Sequence, residues 1–456
     1  MSGSVNATPE LRRHAREIFL AALEAVDANR AVRRAARLDD SLLTILDAKF
    51  DLRRYESIYA VALGKAAGAM AVALDSVLGD RLAGGILSSS SFDASLSPRW
   101  LCFTGGHPLP NEASFAAARA CFDLLNRADH ETSLVIFLVS GGGSAMMELP
   151  RDELITLYDV QKANRTLVSC GAKVGEINKV RQAFSRVKAG GLSRSAPRAD
   201  QVTLIVSDTN AGEESNVASG PTFERNYDAR DALSIIARYD LERSLPPSVI
   251  EAINRYAAQP FIKASSARRH HYVLLDNRVA VERAAKSACE RSFRVFVDEE
   301  IIEQRIEEGS AKLVTRLFEL CRQSEVGETV CLISGGEFAC PVRGNGGGGR
   351  NSETALRFAI EIHKRLAETN RYSTSFVALS AGTDGIDGNS PAAGALATDT
   401  TIKRARELNL DGETFLHNSD AYNFFRLLGD EIITGATGTN ARDLRIMLAK
   451  KVSSKQ

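Results

Sequence analysis

The sequence has no net charge: 57 Lys and Arg residues balance 57 Asp and Glu. Bulk electrostatic attraction to nucleic acid or to an anionic membrane is therefore excluded, although a local basic pocket is not. No uncharged apolar run of about 18 residues occurs, so no membrane-spanning helix is expected. A secretory pattern is missing as well, because Arg12, Arg13, Arg16 and Glu17 interrupt any N-terminal apolar stretch. The seven cysteines contain no CxxC pair. Their scatter fits buried, reduced thiols in a cytoplasmic protein rather than a disulfide framework or a zinc site. His270-His271 lacks zinc-site spacing. There is no GxxxxGK[ST] sequence, which excludes a P-loop nucleotidase.

What is present is a chain of 456 residues, 44% hydrophobic, with apolar runs and amphipathic segments in alternation. A helix is expected over 10–28, then short strands at 58–63, 85–87, 100–103, 134–139 and 202–206, with helices between them. The spacing predicts helices near 152–170 and 176–188. A second cycle runs from Tyr272, with strands at 272–275, 293–297, 329–333 and 376–379. Such alternation predicts an α/β fold of two domains, each an α/β sandwich with a parallel-rich sheet. The expected boundaries are 1–260 and 261–456, joined by a linker between 244 and 271 that holds Pro246, Pro247 and Pro260. Ligands of such sheets bind outside the carboxyl ends of strands. The polar or glycine-rich islands at 64–68, 140–144, 207–221, 344–351 and 382–388 all lie at such ends, so the active site is expected in the interdomain cleft.

The strongest island is Gly344-Asn345-Gly346-Gly347-Gly348-Gly349-Arg350-Asn351. Four consecutive glycines entering a helix lose much backbone entropy on folding, which argues for close approach of an anion to bare amides. Lys65, directly after an apolar strand, can neutralise phosphate charge; a solvated helix-start lysine is the plainer reading. The run Ser140-Gly141-Gly142-Gly143-Ser144 can hold a small ligand by amides and hydroxyls. It is not a GxSxG elbow, because Met146 stands in the last glycine's place. Asp208 at a strand end can accept a hydroxyl proton or hold a metal, with Ser219 and Thr222 downstream. The run Asn178, Arg181, Ser185, Arg186, Lys188 places cations where they can reach an acidic substrate. Asp384 and Asp387, with Glu337 as a further ligand, suit Mg²⁺, and a loop with Asx-turns is the alternative for the pair. His107, in Gly105-Gly106-His107-Pro108, is a substrate-binding candidate. Gly344-x-Gly346-x-x-Gly349 formally matches GxGxxG, but the acidic residue about 20 positions on at the end of the next strand is missing.

Taken together, these islands resemble the glycerate 2-kinases, a family with an N-terminal Rossmann-like domain and a C-terminal MOFRL domain. The resemblance is carried by Val61 to Ala66, Gly105 to Pro108, Val139 to Ala145, Ala218 to Thr222, Gly346 to Asn351, Gly382 to Gly388 and Thr437 to Asn440, and spans residues 10–450. It implies transfer of the ATP γ-phosphoryl group to the 2-hydroxyl of D-glycerate, with Mg²⁺. It assigns Lys65 and Arg350 to the moving phosphoryl group and Asp208 to the hydroxyl. Ser140, Gly142, Gly143, Ser144, His107 and Arg186 then serve the substrate. Gly346, Gly347, Gly348, Gly349, Asn351, Ser219 and Thr222 serve the nucleotide, and Asp384, Asp387 and Glu337 the metal. Departures from the family pattern, such as Thr209 to Glu214 after Asp208 and Arg442 after Asn440, bear on substrate choice and metal geometry. A related hydroxy acid or sugar acid as acceptor, or a sensor that binds a phosphorylated metabolite, are the alternatives. The expected partner is a small molecule, with neither nucleic acid nor membrane, and a homodimer is compatible with this reading.

Overall fold

The continuous apolar runs of the first half become strands covered on both faces. The computed structural model describes residues 7–92, 95–224, 229–257, 267–368 and 373–452. It divides into two units, Ala28–Leu274 and Met1–Asp27 together with Leu275–Gln456. The first helix, Thr8–Ala25, therefore belongs with the second half of the chain. The expected boundary at 260 lies outside the described residues.

In the unit 28–274 the strands are Ser57–Leu63 (β1), Leu82–Ser89 (β2), Trp100–Thr104 (β3), Ser133–Ser140 (β4), Asp200–Val206 (β5) and Arg269–Leu275 (β6). They line up as β3-β2-β1-β4-β5-β6. The pairs β1/β2, β2/β3, β1/β4 and β4/β5 are parallel. All eight residues of β4 are buried, as expected of a strand covered by helices on both sides. One core packs Val61, Leu63, Phe137 and Val139 against Leu124 and Leu125 of the helix Glu112–Ala128. A second core is mainly helical and joins Val160, Leu167, Val180 and Phe184 to Ile235, Val249 and Ile253. The linker expectation is corrected here. Pro247 opens a helix, Pro247–Ala257, because a proline's fixed φ and missing N–H suit a first helical turn. Pro260 lies outside the described residues. The helix expected over 176–188 is Val174–Phe184, ending before Ser185. An antiparallel meander, Ala36–Asp39, Leu42–Ile45 and Ala48–Asp51, had no counterpart in the sequence reading.

The other unit holds Arg294–Asp298 (β7), Thr329–Gly336 (β8), Ser373–Gly382 (β9), Gly394–Thr398 (β10), Glu431–Ile432 (β11) and Asp443–Val452 (β12). Their order is β7-β8-β12-β9-β10-β11. Only β7/β8 is parallel, and β12 lies antiparallel between β8 and β9. A parallel-rich sheet is thus found in the first unit and not in the second. The cause is β12: the last strand enters the middle of the sheet in the reverse direction. No helix among the described residues is long and apolar enough to cross a membrane.

Candidate active site

The strand order reverses between β1 and β4, so the chain leaves these neighbouring strands toward opposite edges of the sheet. That switch point is where an open parallel sheet leaves a crevice. Gly64 and Lys65 follow β1, and Gly141 follows β4. Gly64 adopts φ +115°, and a Cβ there would stand 2.4 Å from the Ser140 carbonyl oxygen. Only glycine fits. The Lys65 amide donates to the Gly141 carbonyl (2.9 Å) and the Ala66 amide to Ser140 Oγ (3.0 Å), locking the two strand ends together.

The Lys65 side chain and the His107 ring both lie beside Gly142. A Cβ at Gly142 would lie 3.3 Å from Lys65 Cγ and 3.1 Å from His107 Cδ2. Ser144 Oγ is 3.0 Å from Ser219 Oγ, which donates to Asn178 Oδ1 at 3.3 Å. Ala218 and Ser219 both have positive φ, +50° and +63°. Side chains rarely hold that conformation, and two in succession at a ligand loop are the kind of strain found at functional sites. Beneath them, buried Lys188 pairs with buried Glu148 and donates to the Ser144 carbonyl at 2.9 Å. Burial pushes the Lys188 ammonium below its ordinary value, with Glu148 opposing. Asp208, half-buried, lies two residues past β5, whose Val206 pairs with Ser140. Thus Lys65, His107, Ser140, Gly142, Gly143, Ser144, Asp208 and Ser219 gather at one end of the sheet. Thr222 is buried beside them in sequence, and its carbonyl accepts from His271 (3.2 Å). Arg186 is exposed instead, its guanidinium 4.4 Å from the Phe122 ring centroid.

In the other unit the glycine run differs from expectation. Its amides are already hydrogen-bonded within the chain: Gly346 to the Asn418 carbonyl (3.0 Å), Gly347 to Asp420 (2.7 Å), Gly348 to Asn389 (2.8 Å) and Gly349 to Asp387 (3.1 Å). Asp387 also accepts from the amides of Asn351 (2.9 Å) and Ser352 (2.8 Å) and from Ser352 Oγ (2.6 Å). It is a buried cap for the helix Arg350–Glu368, not an open metal ligand. Burial raises its carboxyl above the usual range, while the Ser352 and Asn351 bonds pull it down. The glycines serve close packing here. A Cβ on Gly346 would lie 2.3 Å from Asp420 Cβ, and one on Gly349 would lie 2.5 Å from Asp387 Oδ1.

Arg350 donates to Asp443 through Nε (2.5 Å) and to Glu337 (2.7 Å). Burial alone would lower its pKa, but Asp443 and Glu337 outweigh that and raise it. Asn351 donates to Asp443 (2.8 Å) and accepts from Ser380 Oγ (2.7 Å), so it orders the helix start rather than facing a ligand. The sequence offers no signal for Asp443 beyond a carboxylate that opens a strand shared with Arg445, Lys450 and Lys451. Asp384 is half-buried and accepts from the Ile386 amide (3.1 Å). Among the described residues no group of three or more His, Cys, Asp or Glu is placed to hold a metal. Of the three metal candidates Asp384, Asp387 and Glu337, Asp384 is the one compatible with Mg²⁺, as a single carboxylate, the manner in which Mg²⁺ is usually shared with substrate phosphates. Asp387 and Glu337 do not fit, being engaged by amides and by Arg350.

Comparison with known proteins identifies the family. Residues 14–254 match a family model described as a domain of unknown function (DUF4147), and residues 330–443 match the MOFRL family. The chain is 31% identical to glycerate 2-kinase of Pyrococcus horikoshii over 94% of each chain. It is 33% identical to D-glycerate 2-kinase of Thermotoga maritima, over 96% of this chain and 98% of that one. A crystal structure of glycerate kinase from Thermotoga maritima superposes with a TM-score of 0.77 at 29% identity, covering 97% of this chain and all of that one. The chain belongs to the glycerate 2-kinase family, with that family's N-terminal domain followed by its MOFRL domain.

Proposed function

We propose that this protein is a glycerate 2-kinase that moves the γ-phosphoryl group of ATP, with Mg²⁺, to the 2-hydroxyl of D-glycerate. The observation that carries the reading is the grouping of Lys65, His107 and the 140–144 loop at the sheet's switch point, in a chain of this family. Phosphoryl transfer demands positioning and charge rather than covalent roles. The acceptor oxygen attacks γ-phosphorus while the bond to the β,γ-bridging oxygen breaks. ADP leaves, and the hydroxyl proton passes to Asp208. Lys65 stabilises charge on the moving group, and Ser144 and Ser219 orient acceptor oxygens. In the unit that carries the MOFRL match, Arg350 is held in place by Asp443 and Glu337 as a cation suited to phosphate charge. Mg²⁺, when bound with the nucleotide, would neutralise phosphate charge, with Asp384 as its protein ligand.

The test is ADP release from ATP, Mg²⁺ and D-glycerate, followed by ³¹P NMR of the product. Phosphate on C2 couples to one proton and gives a doublet. A triplet means transfer to C3, and no ADP at all removes the kinase reading. Binding of a phosphorylated acid without turnover would favour the sensor.

A further inference from the structure

Two of the four cations from Lys179 to Lys188, Arg181 and Lys188, are largely buried, and of these two only Lys188 has an ion-pair partner among the described residues. Lys188 is 1% exposed and ion-paired with Glu148, itself 2% exposed. Glu148 also accepts from Ser185 Oγ (2.5 Å), so its two oxygens are both used. Arg181 lies close enough to feel both charges: Glu148 raises its pKa, and Arg181 in turn lowers that of Lys188. Yet its Nε is buried and, among the described residues, has no hydrogen-bond acceptor. Burial pushes its guanidinium below the ordinary value, with Glu148 the opposing influence. One carboxylate between two cations leaves one positive charge unbalanced, in a place where leaving a polar group unsatisfied is costly.

The position says what would balance it. Arg181 sits three residues from Asn178 on the helix Val174–Phe184, so the two side chains share a face. Asn178 joins Ser219 and, through it, Ser144. Lys188 fixes the Ser144 carbonyl. We propose that Arg181, flanked by Asn178, Ser219 and Ser144, binds the carboxylate of the hydroxy-acid acceptor. The planar guanidinium fork matches a carboxylate, which would supply the negative charge that Glu148, already paired with Lys188, does not. This gives Arg181 the part that the sequence reading gave to Arg186. It also names what makes the acceptor an acid rather than a simple alcohol. The inference rests on the hydroxy-acid kinase reading above.

The experiment measures the full chain and its Arg181→Gln and Arg181→Lys variants, with KM for D-glycerate and for ATP, the unfolding midpoint, and D-glycerate binding by calorimetry. Loss of a charged hydrogen-bond pair should raise the D-glycerate KM of Arg181→Gln by roughly 10–200-fold. The ATP KM should stay within about threefold and the unfolding midpoint near wild type. Arg181→Lys, which keeps charge but not the fork, should fall between. It stands in if Arg181→Gln does not fold. An unchanged D-glycerate KM overturns the proposal. So does an increase confined to ATP, which would make the anion a nucleotide phosphate, or a loss of stability with both KM values intact. Should wild type lack kinase activity, the functional reading fails separately. Calorimetry then decides the inference: weaker D-glycerate binding in the variant supports it, and no binding to wild type overturns it.

Discussion

Replacing Asp387 by Asn separates a structural cap from a metal ligand. In the structure its Oδ2 accepts from Gly349 N, Ser352 N and Ser352 Oγ, and Oδ1 from Asn351 N. An Asn side chain has one acceptor oxygen. In its better orientation the oxygen keeps the Oδ2 contacts, and the new NH₂ faces the Asn351 amide, donor against donor. Orphaning one buried amide costs about 1–3 kcal/mol. The surviving contacts lose their charge assistance, from roughly 1.5–3 to about 0.5–1.5 kcal/mol each. Against this, the variant no longer buries a charge, the burden that raises the Asp387 pKa. The net expectation is about 2–4 kcal/mol of destabilisation, read as a lower urea midpoint of the unit that contains the helix Arg350–Glu368. The Mg²⁺ concentration for half-maximal turnover should not move. Normal stability with a tenfold shift in the Mg²⁺ requirement would refute the cap and restore the metal role.

Lys65→Ala should lower kcat by about 10²–10³ while leaving the unfolding midpoint near wild type, since removing one preorganised charge costs that much; near-normal turnover would withdraw Lys65 from the reaction. Arg350→Ala should behave differently. It strands the carboxylate of Asp443, 1% exposed, and should cost about 2–4 kcal/mol, less than a fully buried pair because Arg350 is partly exposed and Arg445 remains nearby. Adding Asp443→Asn should recover stability but not activity; chemical denaturation of the single and double variants checks both. The same pair sets an acid limit. Burial would raise the Asp443 pKa, but Arg350 outweighs it and holds the carboxyl below its unfolded value, about 3.9. Its contribution is complete above that value and is lost as pH falls through the lower folded one, so wild type should lose more stability than Asp443→Asn on acidification below about pH 4. Gly64→Ala should destabilise by roughly 1–3 kcal/mol from its positive φ alone, and by more from the clash with Ser140; thermal melts showing a change under half a kcal/mol would contradict that geometry.

The strand ends were legible because both local signals agreed. A short apolar run says buried strand, and a glycine after it says sharp turn, so Gly64-Lys65 and Ser140 to Ser144 are legible as ligand loops at strand ends; that their strands are neighbours at a switch point comes from the structure. What escaped was decided at long range. The glycine run 346–349 reads as an empty anion nest, yet Gly346 is met by the Asn418 carbonyl and Gly349, Gly348 and Gly347 by Asp387, Asn389 and Asp420, at sequence separations of 38, 41 and 73 residues. Nothing in the pattern announces which distant carboxylate will cap it. Arg186 and Arg181 likewise look equivalent in the sequence. The helix ends at Phe184, so Arg181 keeps the helical face it shares with Asn178, while Arg186 falls beyond it and lies on Phe122. No strand is expected at β12, whose Arg445, Lys450 and Lys451 interrupt the apolar pattern, and nothing local shows that it enters mid-sheet in reverse.

The helix Thr8–Ala25 buries Leu11, Ile18 and Phe19 in the unit formed by the latter part of the chain. Its Thr8 and Arg12 side chains bind Asp399 and Asp430, 391 and 418 positions later. On a ribosome adding roughly 5–20 residues per second, that greasy face would wait on the order of 20–80 s for its partners to emerge. The nascent chain therefore carries an unsheltered amphipathic segment through most of its own synthesis.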